Sequence, residues 1–131
     1  MTSKLLIESI YYHAWATASK SNLSLLHNLH ARFTSFEYAW KNATNQLLST
    51  LSPETDIITQ KTKTDPRKEW EKLEKSAIHL ILQENPDYPE ALKQLPHPPM
   101  GIYVQGNLYK NTSSINPLTQ TLAQYIPLSV V

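Results

Sequence analysis

Along the first 52 residues apolar positions recur close to the 3.6-residue helical period, at Leu6, Ile7, Ile10 and Ala14 and again at Leu23, Leu26, Leu29 and Phe33. Two amphipathic helices are predicted from this spacing. Between them, Ser19-Lys20-Ser21-Asn22 offers short polar side chains that bond to nearby backbone and cap the second helix. A third helix is expected after Thr34, with Ser35 as its cap and Phe36, Ala39, Trp40 and Ala43 turned inward. Leu47, Leu48 and Leu51 extend that apolar surface as far as Pro53.

From Ser52 to Asp65 the pattern turns polar, with Pro53, threonines at 55, 59, 62 and 64, and charges at Glu54, Asp56, Lys61 and Lys63. The stretch has the composition of a linker, which places a domain boundary near Thr62 and gives units of 1–62 and 63–131. Asp65-Pro66 then starts a helix, because aspartate accepts the orphan amides at the N-cap and proline has the backbone angle of the first helical position. That helix is expected to run to about Ser76. Trp70, Leu73 and Ala77 share one of its faces, while Arg67, Glu71 and Lys75 form an opposite-charge ladder on another.

Ile78, Leu80 and Leu82 alternate with Ala77, His79 and Ile81, a run apolar on both sides, as in a strand buried within a sheet. Asn85-Pro86-Asp87 breaks it. Pro89 opens a short helix carrying Ala91, Leu92 and Leu95, and Pro96-His97-Pro98-Pro99 ends that helix by withholding amide donors. Ile102, Tyr103 and Val104 predict a second strand closed by Gly106. Beyond the polar Asn111-Thr112-Ser113-Ser114, a helix over 117–125 and a strand-like run at Leu128-Ser129-Val130-Val131 are expected.

Composition narrows what these elements can do. The chain has 131 residues and a formal charge of +1, with six basic against four acidic residues up to Lys63 and six against seven after it. Neither half carries the excess charge of a nucleic-acid or membrane surface. Cysteine is absent, which excludes disulfide frameworks, thiolate metal sites and cysteine nucleophiles, and is compatible with a reducing compartment, so a cytoplasmic location is expected. The start imitates a secretory signal, with Lys4 before an apolar run and Ala16-Thr17-Ala18 as a small-residue site, but Glu8 and His13 interrupt the run and an amphipathic helix explains it better. No segment approaches the roughly 18 apolar residues of a membrane span.

Only Gly101 and Gly106 are glycine, where average usage near 7% gives about nine in such a length. A phosphate-cradling loop needs glycine for close backbone approach, so residues 1–100 hold neither a P-loop nor a dinucleotide-binding turn. His27 and His30 stand three apart on a predicted helix but lack the third ligand of an open metal site, so a surface or half-buried histidine pair is expected and no metal. His13, His79 and His97 are scattered, without a nucleophile in a recognisable turn, and no catalytic residue is assigned. Tyr11, Tyr12 and Trp15, with Lys4, Lys20 and Arg32, could form a base-stacking platform for single-stranded nucleic acid. Core packing is the better reading, because Trp15 and one tyrosine fall on the face shared with the aliphatic residues.

From Trp70 to Leu108 the order of elements is specific: a helix carrying L-E-K, a strand, the triplet Asp87-Tyr88-Pro89, a short helix, Pro98-Pro99, and an aromatic strand through Tyr103 ending at Gly106-Asn107-Leu108. In this order the chain resembles the DNA-processing protein A (DprA/Smf) family. Residues 5–51 are similar, more loosely, to the helical SAM-like domain at the front of many members, through Leu25-Leu26, Phe33, Ser35 and Ala39-Trp40. The resemblance implies an α+β or α/β fragment, a small helical SAM-like domain followed by the first elements of a Rossmann-like domain. The family motif residues, in a structural role, are Trp70, Leu73, Asp87, Tyr88, Pro89, Pro98, Pro99, Tyr103 and Gly106.

Members of that family bind single-stranded DNA and help load the recombinase in natural transformation. The resemblance therefore implies those partners, no cofactor and no enzymatic activity. Its DNA pocket, which begins at a Gly-Ser-Arg segment, has no counterpart in these residues, so nucleic-acid-binding residues stay unknown. Members also commonly carry glycines in the first hairpin, where this chain has Ser19-Lys20-Ser21. Two other readings stay open: a helical protein-interaction module that never contacts DNA, and a nucleotide-using enzyme whose glycine-rich turn would follow Val131.

Overall fold

A computed structural model describes residues 3–54 and 56–105. Its elements run α1 (Ser3–Ser19), α2 (Leu23–Phe33), α3 (Phe36–Asn42), α4 (Asn45–Leu51), α5 (Ile57–Lys63), α6 (Pro66–Lys75), β1 (Ile78–Leu82), α7 (Glu90–Lys93) and β2 (Gly101–Gln105). The described residues are thus rich in helix, with one small two-stranded sheet among them. Contacts divide it into two compact units that meet between Trp70 and Glu71. The expected helix at 117–125, the strand at 128–131, the polar stretch at 111–114 and Gly106 lie outside the described residues.

The helical unit is built by local caps that its sequence supplies. The Asn22 side chain accepts the Leu25 amide at 3.1 Å, Ser35 the Tyr38 amide at 3.1 Å, and Asp65 the Arg67 amide at 3.0 Å, which satisfies orphan donors at three helix starts. The expected third helix is two. Ala43 leaves helical geometry, with ψ at 128°, and the Thr44 hydroxyl then accepts the Leu47 amide at 3.1 Å to begin α4.

Burial corrects the apolar face expected of α1. Leu6 and Ile7 are exposed, and the buried positions are Ser9, Tyr12, Ala14, Trp15, Ala16, Ala18 and Ser19. Three alanines near the end of the helix leave room for neighbouring helices to close on it from several sides, so burial there follows no single stripe. In α2 the inward residues are Leu25, Leu26 and Leu29, while Leu23 is 59% exposed at the first turn.

The segment with linker composition is also corrected: residues 57–63 form α5. Asp56 accepts the Thr59 amide at 3.4 Å, and Ile57 is buried at the first turn. Burial of an isoleucine side chain contributes about 1.5–3 kcal/mol, more than enough to outweigh the weak helix propensity of Ile58, Thr59 and Thr62. By contacts, α5 belongs with the compact unit that runs to Trp70.

In the second unit β1 and β2 pair antiparallel, with Ile78 opposite Gln105 and Leu82 opposite Gly101. Leu80, Ile81 and Leu82 are buried in succession, as are Gly101 through Val104, so both strands are covered on both faces. Ile81, Tyr88, Ile102 and Val104 form a cluster against which Leu92 of α7 packs. A parallel pair requires a crossover of a dozen residues or more, usually a full helix. Here the connection holds only the four residues of α7, and the strands run antiparallel.

Candidate functional site

Three prolines determine the chemistry of the segment before β2. Pro96, Pro98 and Pro99 have no amide to donate, so their stretch must be held through its carbonyls by donors from elsewhere. Gln83, just after β1, supplies them: its Nε2 donates to the Pro98 and Pro99 carbonyls, both at 2.9 Å, and its backbone amide donates to Met100 O at 3.0 Å. The Tyr88 hydroxyl donates to the same Pro99 carbonyl at 2.7 Å. Burial raises the Tyr88 phenol above its ordinary pKa, a hydrogen bond with the Gln83 side chain opposes that shift, and the phenol stays a neutral donor.

Tyr88 is positioned by the turn before it. The Asn85 side chain accepts the Asp87 amide at 2.8 Å and the Asn85 carbonyl accepts the Tyr88 amide at 2.9 Å, with Asn85 itself buried. The structure thus gathers Tyr88, Pro98 and Pro99 around one hydrogen-bonded clasp, with Pro89 as the N-cap position of α7 and Asp87 exposed. Tyr103 is buried in β2 opposite Leu80. Trp70 lies in the helical unit, its ring 6.4 Å from that of His13, and Leu73 is half-buried in α6. Gln83, which ties the clasp together, was not among the motif residues. Its signal was an amide side chain one residue past a strand and ahead of a donor-poor proline run.

In the helical unit the aromatic residues of α1 are packed inward. Trp15 is fully buried, its Nε1 donates to Phe36 O at 3.1 Å, and its ring meets Trp40 edge-on with centroids 4.8 Å apart. Tyr12 stands edge-on to Phe36 at 5.2 Å and Tyr11 lies 6.2 Å from Trp40. Tyr12, Trp15 and Phe36 are core, Tyr11 and Trp40 are half-buried beside them, and Lys4, Lys20 and Arg32 are exposed elsewhere on the same unit. His30 lies tilted at 5.5 Å from Phe36 while His27 is exposed. Among the described residues no three histidine or acidic side chains converge as metal ligands. His79 is half-buried in β1 and His97 exposed.

Among the described residues two lysines face rings. Lys61 Nζ sits 4.8 Å from the Trp40 centroid and 5.9 Å from that of Trp15, and burial lowers its pKa below the ordinary lysine value. Lys41 Nζ lies 5.9 Å from the Tyr11 ring and 3.0 Å from the Glu37 carboxylate, which raises its pKa. A depression of about 180 Å³ is lined by Ser49, Ser52, Pro53, Asp56, Ile57 and Ile58. Two of its polar groups have partners: Asp56 caps α5 and the Ser52 hydroxyl accepts from Asn22 Nδ2 at 3.5 Å.

No described helix is long and apolar enough to cross a membrane. Comparison with protein-family models, with curated proteins and with solved structures finds no match.

Proposed function

We propose that the chain is the front part of a DNA-processing protein A homologue, a helical SAM-like unit followed by the opening elements of a Rossmann-like domain. In this reading the whole protein handles single-stranded DNA and helps load the recombinase in the cytoplasm during natural transformation. The residues before Gly106 scaffold that activity and carry no catalysis. The observation that supports the reading best is the bond from the Tyr88 hydroxyl to the Pro99 carbonyl. It joins the Asp87-Tyr88-Pro89 triplet to the double proline, the two most specific motifs of the resemblance, and gives both a shared structural purpose. The antiparallel β1–β2 pair is compatible with it, since doubly wound sheets often carry an antiparallel strand at one edge.

The charge balance sets the expected behaviour of these residues alone. Fluorescence anisotropy with a labelled single-stranded oligonucleotide should give non-specific binding, with a Kd of about 10⁻⁴ M or weaker at physiological salt and a shallow salt slope. Deleting the gene in a transformable host should lower transformation frequency. Unchanged transformation, with a protein partner recovered on the helical unit, would overturn the proposal in favour of an interaction module.

A further inference from the structure

Three exposed cations, Lys63, Arg67 and Lys68, stand where α5 passes into α6. Lys41 and Lys93 are each paired with a carboxylate, Glu37 at 3.0 Å and Glu90 at 3.6 Å. Among the described residues Lys63, Arg67 and Lys68 have no such partner. The carboxylate that lies between them, Asp65, is turned to backbone: its Oδ1 accepts the Arg67 amide at 3.0 Å and the Lys68 amide at 3.3 Å. From Lys61 to Lys68 the chain carries four basic residues against one acidic, and from Glu69 to Gln105 three against six, so the near-neutral total hides a local excess. The stability of α6 does not account for it. Arg67 and Lys68 occupy the first turn, the end of a helix that favours anions, and of that turn only Glu69 is acidic.

We propose that Lys63, Arg67 and Lys68 form a contact face for the phosphate backbone of single-stranded DNA, a choice of polyanion that rests on the DNA-handling reading above. The side chains themselves meet the phosphates, because the Arg67 and Lys68 amides are already taken by Asp65. Arg67 brings a fork of donors that suits two phosphate oxygens, and the two lysines act as point charges. Contacts of this kind hold a strand in place without reading its sequence. Three phosphates neutralised on a single strand give a salt slope of about −2, which is shallow, as the charge balance of the whole chain requires. Lys61 is set apart from this face, since its ammonium is half-buried at 4.8 Å from the Trp40 ring.

The test uses the intact chain and a labelled oligothymidylate, followed by fluorescence anisotropy from about 20 mM to about 150 mM salt. The variant that combines Lys63→Gln, Arg67→Gln and Lys68→Gln should flatten the salt slope toward zero and weaken binding at the low-salt end by about tenfold or more. A matched variant combining Lys4→Gln, Lys20→Gln and Arg32→Gln removes the same charge elsewhere on the helical unit and should keep most of the slope. Equal losses in the two variants, or no binding by the wild type at low salt, would overturn the proposal. Displacement of the oligonucleotide by poly-glutamate at equal charge concentration would overturn it too, and would assign the face to an acidic protein segment. Transformation assays separate this face from the reading it rests on. If gene deletion lowers transformation while both variants lose binding equally, the face is wrong and the DNA-handling reading stands. If deletion leaves transformation unchanged while only the first variant loses binding, the reading falls and the face stands.

Discussion

Glu8 of α1 receives the Ser35 hydroxyl at 2.6 Å and the Phe36 and Glu37 amides at 2.8 and 3.2 Å, so a side chain distant in sequence closes the start of α3. The Ser35 hydroxyl in turn accepts the Tyr38 amide, and the two residues together satisfy three orphan donors. Glu8→Ala removes the acceptor from part-buried amides and should destabilise the helical unit by about 2 kcal/mol. Glu8→Gln keeps one oxygen and should cost about half as much. Urea unfolding followed by tryptophan emission reads both, and equal midpoints for wild type and Glu8→Ala would refute the role.

His13 makes the helical unit sensitive to acid. Desolvation lowers its pKa and outweighs the Coulombic pull and the backbone hydrogen bond of Glu69, which raise it. Below the ordinary value of 6.5 the unfolded chain therefore binds more protons than the folded one. The contribution of neutral His13 is fully present above that value and is lost as pH falls from it through the lower folded pKa. Denaturation midpoints at about pH 7.5 and about pH 5 should differ, and His13→Gln should flatten the difference.

Thr34 ends α2 with φ at 58°, a left-handed conformation that a β-branched residue adopts only under strain. Its backbone amide still donates to His30 O at 2.9 Å, the bond of a C-terminal helix cap. Thr34→Gly should keep the bond and relieve the strain, raising stability by up to about 1 kcal/mol once the extra freedom of unfolded glycine is subtracted. A lower midpoint for Thr34→Gly would show that the hydroxyl bond to Phe33 O matters more.

Tyr88→Phe removes one donor from the Pro99 carbonyl and leaves Gln83 Nε2 in place. Because that acceptor stays satisfied, the cost should sit near 1 kcal/mol, whereas Gln83→Leu, which strips both proline carbonyls of the Gln83 side chain, should cost more. Amide exchange at Gln83, whose backbone amide bonds Met100 O, is the local readout, and faster exchange in Tyr88→Phe than in Gln83→Leu would contradict this order.

Elements with local causes were legible in the sequence. Asn22, Ser35 and Asp65 announced their helices because a cap acts within three residues, and Pro89, which makes no cap bond, marked the start of α7 through its fixed φ of -62°. α5 was hidden, since its polar, threonine-rich segment becomes helical through the burial of Ile57, which no local pattern records. Glu8 looked like a flaw in an apolar run and is instead the acceptor for a helix start 28 positions away. At the clasp, Tyr88 and the prolines were legible as motif residues. The donor that ties them together, Gln83, was not, because a hydrogen bond between side chain and carbonyl depends on where the chain folds back.

The scarcity of glycine reappears in the backbone, where Lys20, Ser21, Thr34 and Ala77 all take positive φ.

The clasp also bears on the order in which the chain acquires structure. With Leu82 opposite Gly101, the β1–β2 hairpin closes around residues 83–100. Bringing together the ends of such a loop costs only about 2.6 kcal/mol beyond a constant. Gln83 and Tyr88 reach across that loop to its far end, so the first long-range contacts of the second unit need nothing beyond Gln105. Such short-range pairing favours rapid formation, while a two-stranded hairpin remains marginal in water. The hairpin is thus suited to be an early nucleus whose persistence depends on what later packs against it.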